Sequence, residues 1–378
     1  MDRLKAPASA AERLGRPGLG DALRHYHKHL KYLTWWPALA PRVIRNYFEL
    51  LVRKRPRLRT VEFAVTYRCN AHCGHCSAAN LEDPNRREFS VAEVKRIVAE
   101  GRALGLLNIN FTGGESLLRE DLEDMARACG PRSAVVSVAT NGLLFTPERA
   151  RSLARAGVRI VSISLDSVDP DTHDRFRGRP GLHAAALEAV ESARRFGIEP
   201  FLCATISRSS LREGEAVRLV ELADGLHTTI TLQMACPVGR WEGAERHLLG
   251  PDEQQEYYAL TRRPHVRWEG LSNYLAEGCP AGIEKLALTP YGDVLPCVFA
   301  HVSYGNLRDE PLETIWRRMI SGPPFDRVHP NCPIGEDREF RERVLGPLAE
   351  AEQLPLPVEQ HPYLCESYGG CADRGQDR

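Results

Sequence analysis

Val61-Glu-Phe-Ala-Val-Thr-Tyr67 runs without a break into Arg-Cys69-Asn-Ala-His-Cys73-Gly-His-Cys76. The first run has the apolar and β-branched content of a strand, and the cysteines sit at its C-terminal end. Beyond them one unit recurs: a short apolar or alternating run, a turn, then an amphipathic stretch. The further candidate strands are Leu106–Thr112, Ser133–Ala139, Arg159–Asp166, Pro200–Ser207 and Thr228–Met234. Helical patterns lie between them at Val91–Leu104, Arg119–Cys129, Pro147–Ala156, Leu182–Phe196 and Leu211–Ala223. Alternation of this kind means parallel strands joined by right-handed crossovers.

Six such units over residues 61–235 describe an α/β fold, a partial (β/α)6 barrel of the TIM type. Residues 1–60 read as an N-terminal helical extension, with Trp35 and Trp36 ahead of a basic helix at Ile44–Leu58. Residues 236–378 hold dispersed cysteines and read as a small C-terminal cluster-binding domain. Strand parity adds a prediction. Asn108, Asn110 and Thr112 share one face of the second strand; Ser162, Ser164 and Asp166 share one face of the fourth; Thr229, Thr231 and Gln233 share one face of the sixth. Crossover helices cover the outer face of such a sheet, so the polar face is expected to line an open, wet lumen.

Lysine plus arginine balance aspartate plus glutamate at 50 each, so no net charge favours nucleic acid. No segment has the order of a secretory leader, and no apolar run is long enough to span a bilayer. The expected location is the cytoplasm. The basic helix Ile44–Leu58 reads as a solvated face over the barrel, with a membrane surface as the other reading.

Eleven cysteines in such a chain point to metal or thiol chemistry rather than disulfides. Cys69, Cys73 and Cys76 form one tight group; Cys129, Cys203 and Cys236 stand alone; Cys279, Cys297, Cys332, Cys365 and Cys371 are spread through the C-terminal region. Three thiolates hold three irons of a four-iron cube and leave the fourth open to a ligand. A zinc site completed by His72 or His75 is the alternative, but zinc spacings pair two short ligand couples, and no second couple follows Cys76.

The spacing of the triad directly after a first strand resembles the signature of the radical S-adenosylmethionine (SAM) superfamily, and further segments match it in order between about Glu62 and Met234. Thr112-Gly113-Gly114-Glu115 resembles the motif for the methionine amino group, with Ser116 where a proline commonly follows. Asn141 ends the third strand as in the family, Ser164 and Asp166 match residues on the ribose and carboxylate side, Arg177 an arginine placed on that carboxylate, and His75 a ring near adenine. The resemblance implies a [4Fe–4S] cluster at Cys69, Cys73 and Cys76 that passes an electron to bound SAM. The resulting 5′-deoxyadenosyl radical abstracts a substrate hydrogen, and a flavodoxin, ferredoxin or reductase supplies the electron.

Cys279-Pro-Ala-Gly, Gly292 and Cys297, followed by Tyr304-Gly-Asn-Leu and Ile315-Trp316, resemble the auxiliary-cluster domain called SPASM or its shorter relative, twitch. A strand-turn-strand around Gly292 would bring two thiolates over one cluster. Only Cys332 stands where the full pattern has a dense cysteine run, which argues for one auxiliary [4Fe–4S] cluster on Cys279, Cys297 and Cys332. Its fourth ligand is left among Cys365, Cys371 and a substrate atom.

The polar lumen and single auxiliary cluster favour a small polar substrate, a sugar or aminocyclitol undergoing oxidation, elimination or epimerisation. The alternatives are a SPASM-type maturase that crosslinks or epimerises a ribosomal peptide, and a cluster-bearing electron carrier. Cys236, just past the sixth strand, is a candidate hydrogen donor or acid–base group, with a buried structural thiol as its other reading.

Overall fold

A computed structural model describes residues 36–130, 133–268, 270, 273–275 and 278–368; Trp35 and Cys371 lie outside the described residues. Helix α1 (Ala40–Leu51) leads into β1 (Thr60–Thr66), α2 (Val91–Leu104), β2 (Asn108–Gly113), α3 (Leu122–Ala128), β3 (Val135–Thr140), α4 (Pro147–Ala156) and β4 (Val158–Ser164). There follow α5 (Pro170–Arg177), α6 (Leu182–Arg195), β5 (Glu199–Ile206), α7 (Arg208–Arg212), α8 (Glu215–Gly225) and β6 (Thr229–Met234). The remainder holds α9 (Pro251–Thr261), β7 (Val266–Trp268), β8 (Lys285–Leu288), β9 (Val294–Leu295), α10 (Leu312–Met319) and α11 (Pro333–Glu336).

All six strands read from the sequence are present, and the sheet continues past them at both edges in the order β7-β6-β5-β4-β3-β2-β1-β8-β9. Every neighbouring pair is parallel except the β8–β9 hairpin. Strand β7 is only three residues long, too short to carry a legible alternation. The helical pattern at Leu211–Ala223 breaks at Gly214, where φ is 73°. Helix α5 escaped the periodicity, although Asp169 caps it and Pro170 occupies its first turn.

Side chains of Ile109, Phe111, Val136, Val138, Val161, Ile163, Leu202, Ile230 and Leu232 are buried in the main core, on the parity that faces the crossover helices. The opposite parity lines the lumen, as predicted. Within it Asn110 Nδ2 donates to Glu62 Oε2 at 2.6 Å, and Ser137 Oγ donates to Asn110 Oδ1 at 2.9 Å, so the inner wall is a hydrogen-bonded polar surface.

The lumen is closed at its base by the N-terminal segment. Trp36, Leu39 and Val43 pack against Val135, Ile160 and Phe201. Helix α1 is pinned there by polar groups: Arg42 Nη1 donates to Leu106 O at 3.0 Å, and Asn46 Nδ2 to Gly105 O at 2.7 Å and Tyr274 Oη at 2.6 Å. The basic residues Arg45, Arg53, Lys54 and Arg55 are exposed, as a solvated face over the barrel requires, but the bounds and the rest of the helix differ from the expectation. The helix ends at Leu51, its polar Asn46 and Glu49 are buried, and Ile44, Phe48 and Leu51 are exposed. The burial of Asn46 has a physical cause: the Gly105 carbonyl at the barrel base needs a donor. Among the described residues no helix is long and apolar enough to cross a membrane.

Candidate active site and cluster-binding thiols

A cavity of about 360 Å³ opens at the C-terminal ends of the strands. Cys69, Cys73, Cys76, His75, Gly113, Gly114, Asn141, Ser164, Arg177 and Cys236 all line it, so the fold brings most of the predicted site residues to one mouth. Glu115 and Asp166 are buried just behind them.

The cysteine loop is held by the end of a helix. The last carbonyls of α5 lack intrahelical partners, and two of them accept from the loop: His72 N donates to Arg177 O at 3.0 Å and Gly74 N to Phe176 O at 2.9 Å. Gly178, with φ 66°, lets the chain turn away, since a Cβ there would lie 2.6 Å from His72 O. The other side is clamped by residues the sequence reading missed. Arg240 N donates to Cys76 O at 3.0 Å, and Arg240 Nη1 to His72 O at 2.9 Å. A Cβ on Gly239 would lie 2.2 Å from Cys76 O, and this glycine in Val-Gly-Arg-Trp is the one local signal that could have marked the clamp.

Gly113 and Gly114 line the cavity and also make a backbone contact. Their missing side chains admit the backbone at the end of β1: a Cβ on Gly113 would lie 2.0 Å from Thr66 O, and one on Gly114 2.4 Å from both Tyr67 O and Arg68 O. Glu115 accepts from Thr140 Oγ1 and Asn141 N, both at 2.8 Å, and from Leu117 N at 3.1 Å. Burial pushes its pKa up against these bonds. Asn141 Nδ2 reaches Asn70 Oδ1 at 2.7 Å, tying the third strand to the cysteine loop. Ser116 Oγ donates to Ala139 O at 2.6 Å, so the residue that departs from the family pattern cross-links the ends of β2 and β3.

Asp166 and Arg177 form a buried pair, Nε to Oδ2 at 2.6 Å, and Arg177 Nη1 lies 3.8 Å from Cys73 Sγ. One guanidinium thus faces both a carboxylate and a triad thiol. The His75 ring stacks on Phe176 with centroids 4.5 Å apart, and burial pushes its pKa down to about 4. Burial likewise pushes Cys69 up to about 11.

The second thiol set is assembled by the hairpin. Gly292, with φ 105°, turns β8 into β9, and Arg86 grips Asp293 through two hydrogen bonds of 2.8 and 2.9 Å. Burial raises the Cys279 thiol, with Cys332 and Cys297 as its charged neighbours, so these three thiols do come together. Cys365 is disulfide-bonded, which corrects the expectation that the cysteines serve metal or thiol chemistry alone and takes its sulfur out of the candidates for fourth cluster ligand.

The residues present fit the expected groups. Three thiols ring one side of the mouth, and His75 Nδ1 is buried there without a hydrogen-bond partner.

A parallel partial barrel with a three-thiol loop at its mouth and further thiols on an appended hairpin defines a cluster-binding enzyme scaffold. The profile of the radical SAM superfamily matches residues 63–209, and that of the SPASM iron–sulfur cluster-binding domain matches residues 279–332. The AdoMet-dependent heme synthase of Nitratidesulfovibrio vulgaris is 28% identical over 295 residues, spanning 70% of this chain and 80% of the relative. The PqqA peptide cyclase of Streptomyces rochei is 30% identical over 271 residues, spanning 67% and 72%. Streptococcus suis SuiB, solved with its precursor peptide SuiA, superposes with a TM-score of 0.58 at 16% identity, over 72% of this chain and 67% of SuiB. The chain belongs to the radical SAM superfamily and carries a C-terminal SPASM domain. It is an enzyme whose cofactors are SAM, the [4Fe–4S] cluster that binds it, and an auxiliary iron–sulfur cluster.

Proposed function

We propose that this enzyme removes a hydrogen atom from a residue of a peptide held in the barrel lumen. The observation that carries the reading is the polar wall beneath the triad, where Glu62, Asn110, Ser137, Ser162, Thr231 and Gln233 line the cavity. Such a wall can pair with the donors and acceptors that every backbone unit presents. It would suit a sugar or aminocyclitol equally well. The relatedness to PqqA peptide cyclases, over most of both chains, tips the reading to a peptide.

In this reading Cys69, Cys73 and Cys76 hold the SAM-binding cluster, and Cys279, Cys297 and Cys332 hold the auxiliary one. His75, Gly113, Gly114, Glu115, Asn141, Ser164, Asp166 and Arg177 hold SAM. When bound, cluster and SAM supply a 5′-deoxyadenosyl radical. The chain's own work is positional. Arg177 orients Cys73, Glu115 presents a buried carboxylate for an ammonium, and Trp36 keeps water from entering through the base. A flavodoxin, ferredoxin or reductase supplies the electron.

A second reading has one observation in its favour. Arg59, Arg267 and Lys285 place cationic side chains in the lumen, the chemistry a substrate bearing carboxylates requires, and the heme synthases are similar in sequence. The test is anaerobic turnover with reductant, SAM and a precursor peptide encoded beside the gene, read by mass spectrometry. The expected result is 5′-deoxyadenosine together with a peptide of altered mass. An unaltered peptide, with an iron porphyrin consumed in its place, would transfer the assignment to the second reading.

A further inference from the structure

The auxiliary thiol set has a fourth member that no motif marks. Cys236 follows β6 and belongs by chain order to the end of the barrel, whereas Cys279 and Cys297 flank the β8–β9 hairpin and Cys332 comes after α10. Even so, Cys236, whose Sγ lies 3.4 Å from Met234 O, has Cys332, Cys297 and Cys279 as its thiol neighbours.

This juxtaposition is built into the backbone, not into one rotamer. Cys332 caps α11, and α11 lies so close to the end of β6 that a Cβ on Gly335 would stand 2.7 Å from Met234 Sδ and 3.5 Å from Ala235 O. Helix α9 fastens both sides: Tyr257 Oη donates to Leu232 O of β6 at 2.8 Å, while Tyr258 Oη bonds the Glu336 carboxylate of α11. The cavity wall tells the same story. Cys236 lines it together with Val298 and Phe299, the two residues after Cys297. Cys365 sits instead in a turn whose Tyr368 hydroxyl bonds Met319 O at 3.1 Å, and it takes no part in that wall.

We propose that Cys236 is the fourth thiolate ligand of the auxiliary cluster, completing the set Cys236, Cys279, Cys297 and Cys332. Thiolate is the preferred ligand of such clusters, and binding takes the thiol protons off as the set closes. The assignment has two consequences. A cluster closed by four thiolates offers no coordination position to substrate, in contrast to the triad cluster. A cysteine bound to iron has no S–H to give, so Cys236 is not the hydrogen donor. The inference depends on the auxiliary cluster and not on the substrate, so an unaltered peptide in the turnover assay would leave it standing.

The test uses the full chain with Cys69, Cys73 and Cys76 all changed to Ala, so that only the auxiliary site can be loaded. After anaerobic reconstitution this background is expected to hold about four irons per chain. Adding Cys236→Ala should lower the iron toward three and give a three-iron EPR signal on mild oxidation. Cys236→Ser should keep the iron but shift one Mössbauer site, which guards against misreading a folding defect. Cys365→Ala should change nothing. The proposal is overturned if the background binds no iron, if the Cys236→Ala spectra match the background, or if Cys365→Ala produces the three-iron signal.

Discussion

Replacing Arg177 by methionine would strip Asp166 of the guanidinium whose Nε lies 2.6 Å from its Oδ2. The two residues are 9% and 6% exposed, and the carboxylate would keep only the Thr205 amide, at 2.8 Å. Removing one partner of a buried pair costs roughly 3–5 kcal/mol, because a charge is left without compensation. The double variant Asp166→Asn/Arg177→Met removes both charges and should cost less than half as much.

The pH dependence follows from signs. In the native protein burial works to raise the Asp166 pKa, and the Arg177 charge outweighs it, holding the group below its ordinary value. Such a depressed carboxyl stabilises the fold above its unfolded pKa of about 3.9, and the contribution is lost as pH falls through the lower folded value. In Arg177→Met burial acts without that opposing charge, so the folded pKa rises above the unfolded one. The penalty is then full at high pH and shrinks as pH falls through the raised value toward about 4. Urea unfolding of the apo protein under reductant, compared with the parent between about pH 8 and pH 5, should therefore show a gap that narrows toward acid. A gap below about 1 kcal/mol at the alkaline end, or one that ignores pH, would refute the reasoning.

Three further outcomes are expected. Gly114→Ala puts a Cβ 2.4 Å from two backbone carbonyls at the entry to the cysteine loop, so it should cost about 1–3 kcal/mol and lower iron occupancy at the triad, read by iron analysis and urea midpoint. Changing Cys69, Cys73 and Cys76 together to Ala should abolish 5′-deoxyadenosine formation and reduce iron from about eight to about four per chain. Asn46→Leu leaves the buried Gly105 carbonyl and Tyr274 hydroxyl without their shared amide, and should lower stability by about 1–3 kcal/mol in urea.

Much of the site was legible because its parts are local. Cys69, Cys73 and Cys76 lie within one loop, and Gly113, Glu115, Asn141 and Ser164 each end or follow a strand whose alternation gives its position away. One role of the glycines was not legible: Gly113 and Gly114 line the cavity, but they also admit the backbone of β1, which no local pattern announces. The Arg240 clamp was equally silent, since an arginine in a loop carries no periodic signal.

What the sequence by itself determined is the parallel α/β architecture, the polar parity of the lumen and the hairpin around Gly292. Period-two alternation and turn chemistry are properties of a few adjacent residues, and they survive being read along a line. Only the tertiary structure decided that β8 pairs with β1, that Trp36 closes the barrel, that α1 buries Asn46 and Glu49, and that Cys236 meets Cys332. These contacts join segments far apart in the chain. Their proximity depends on how packed layers close over one another, and no local pattern encodes that closure.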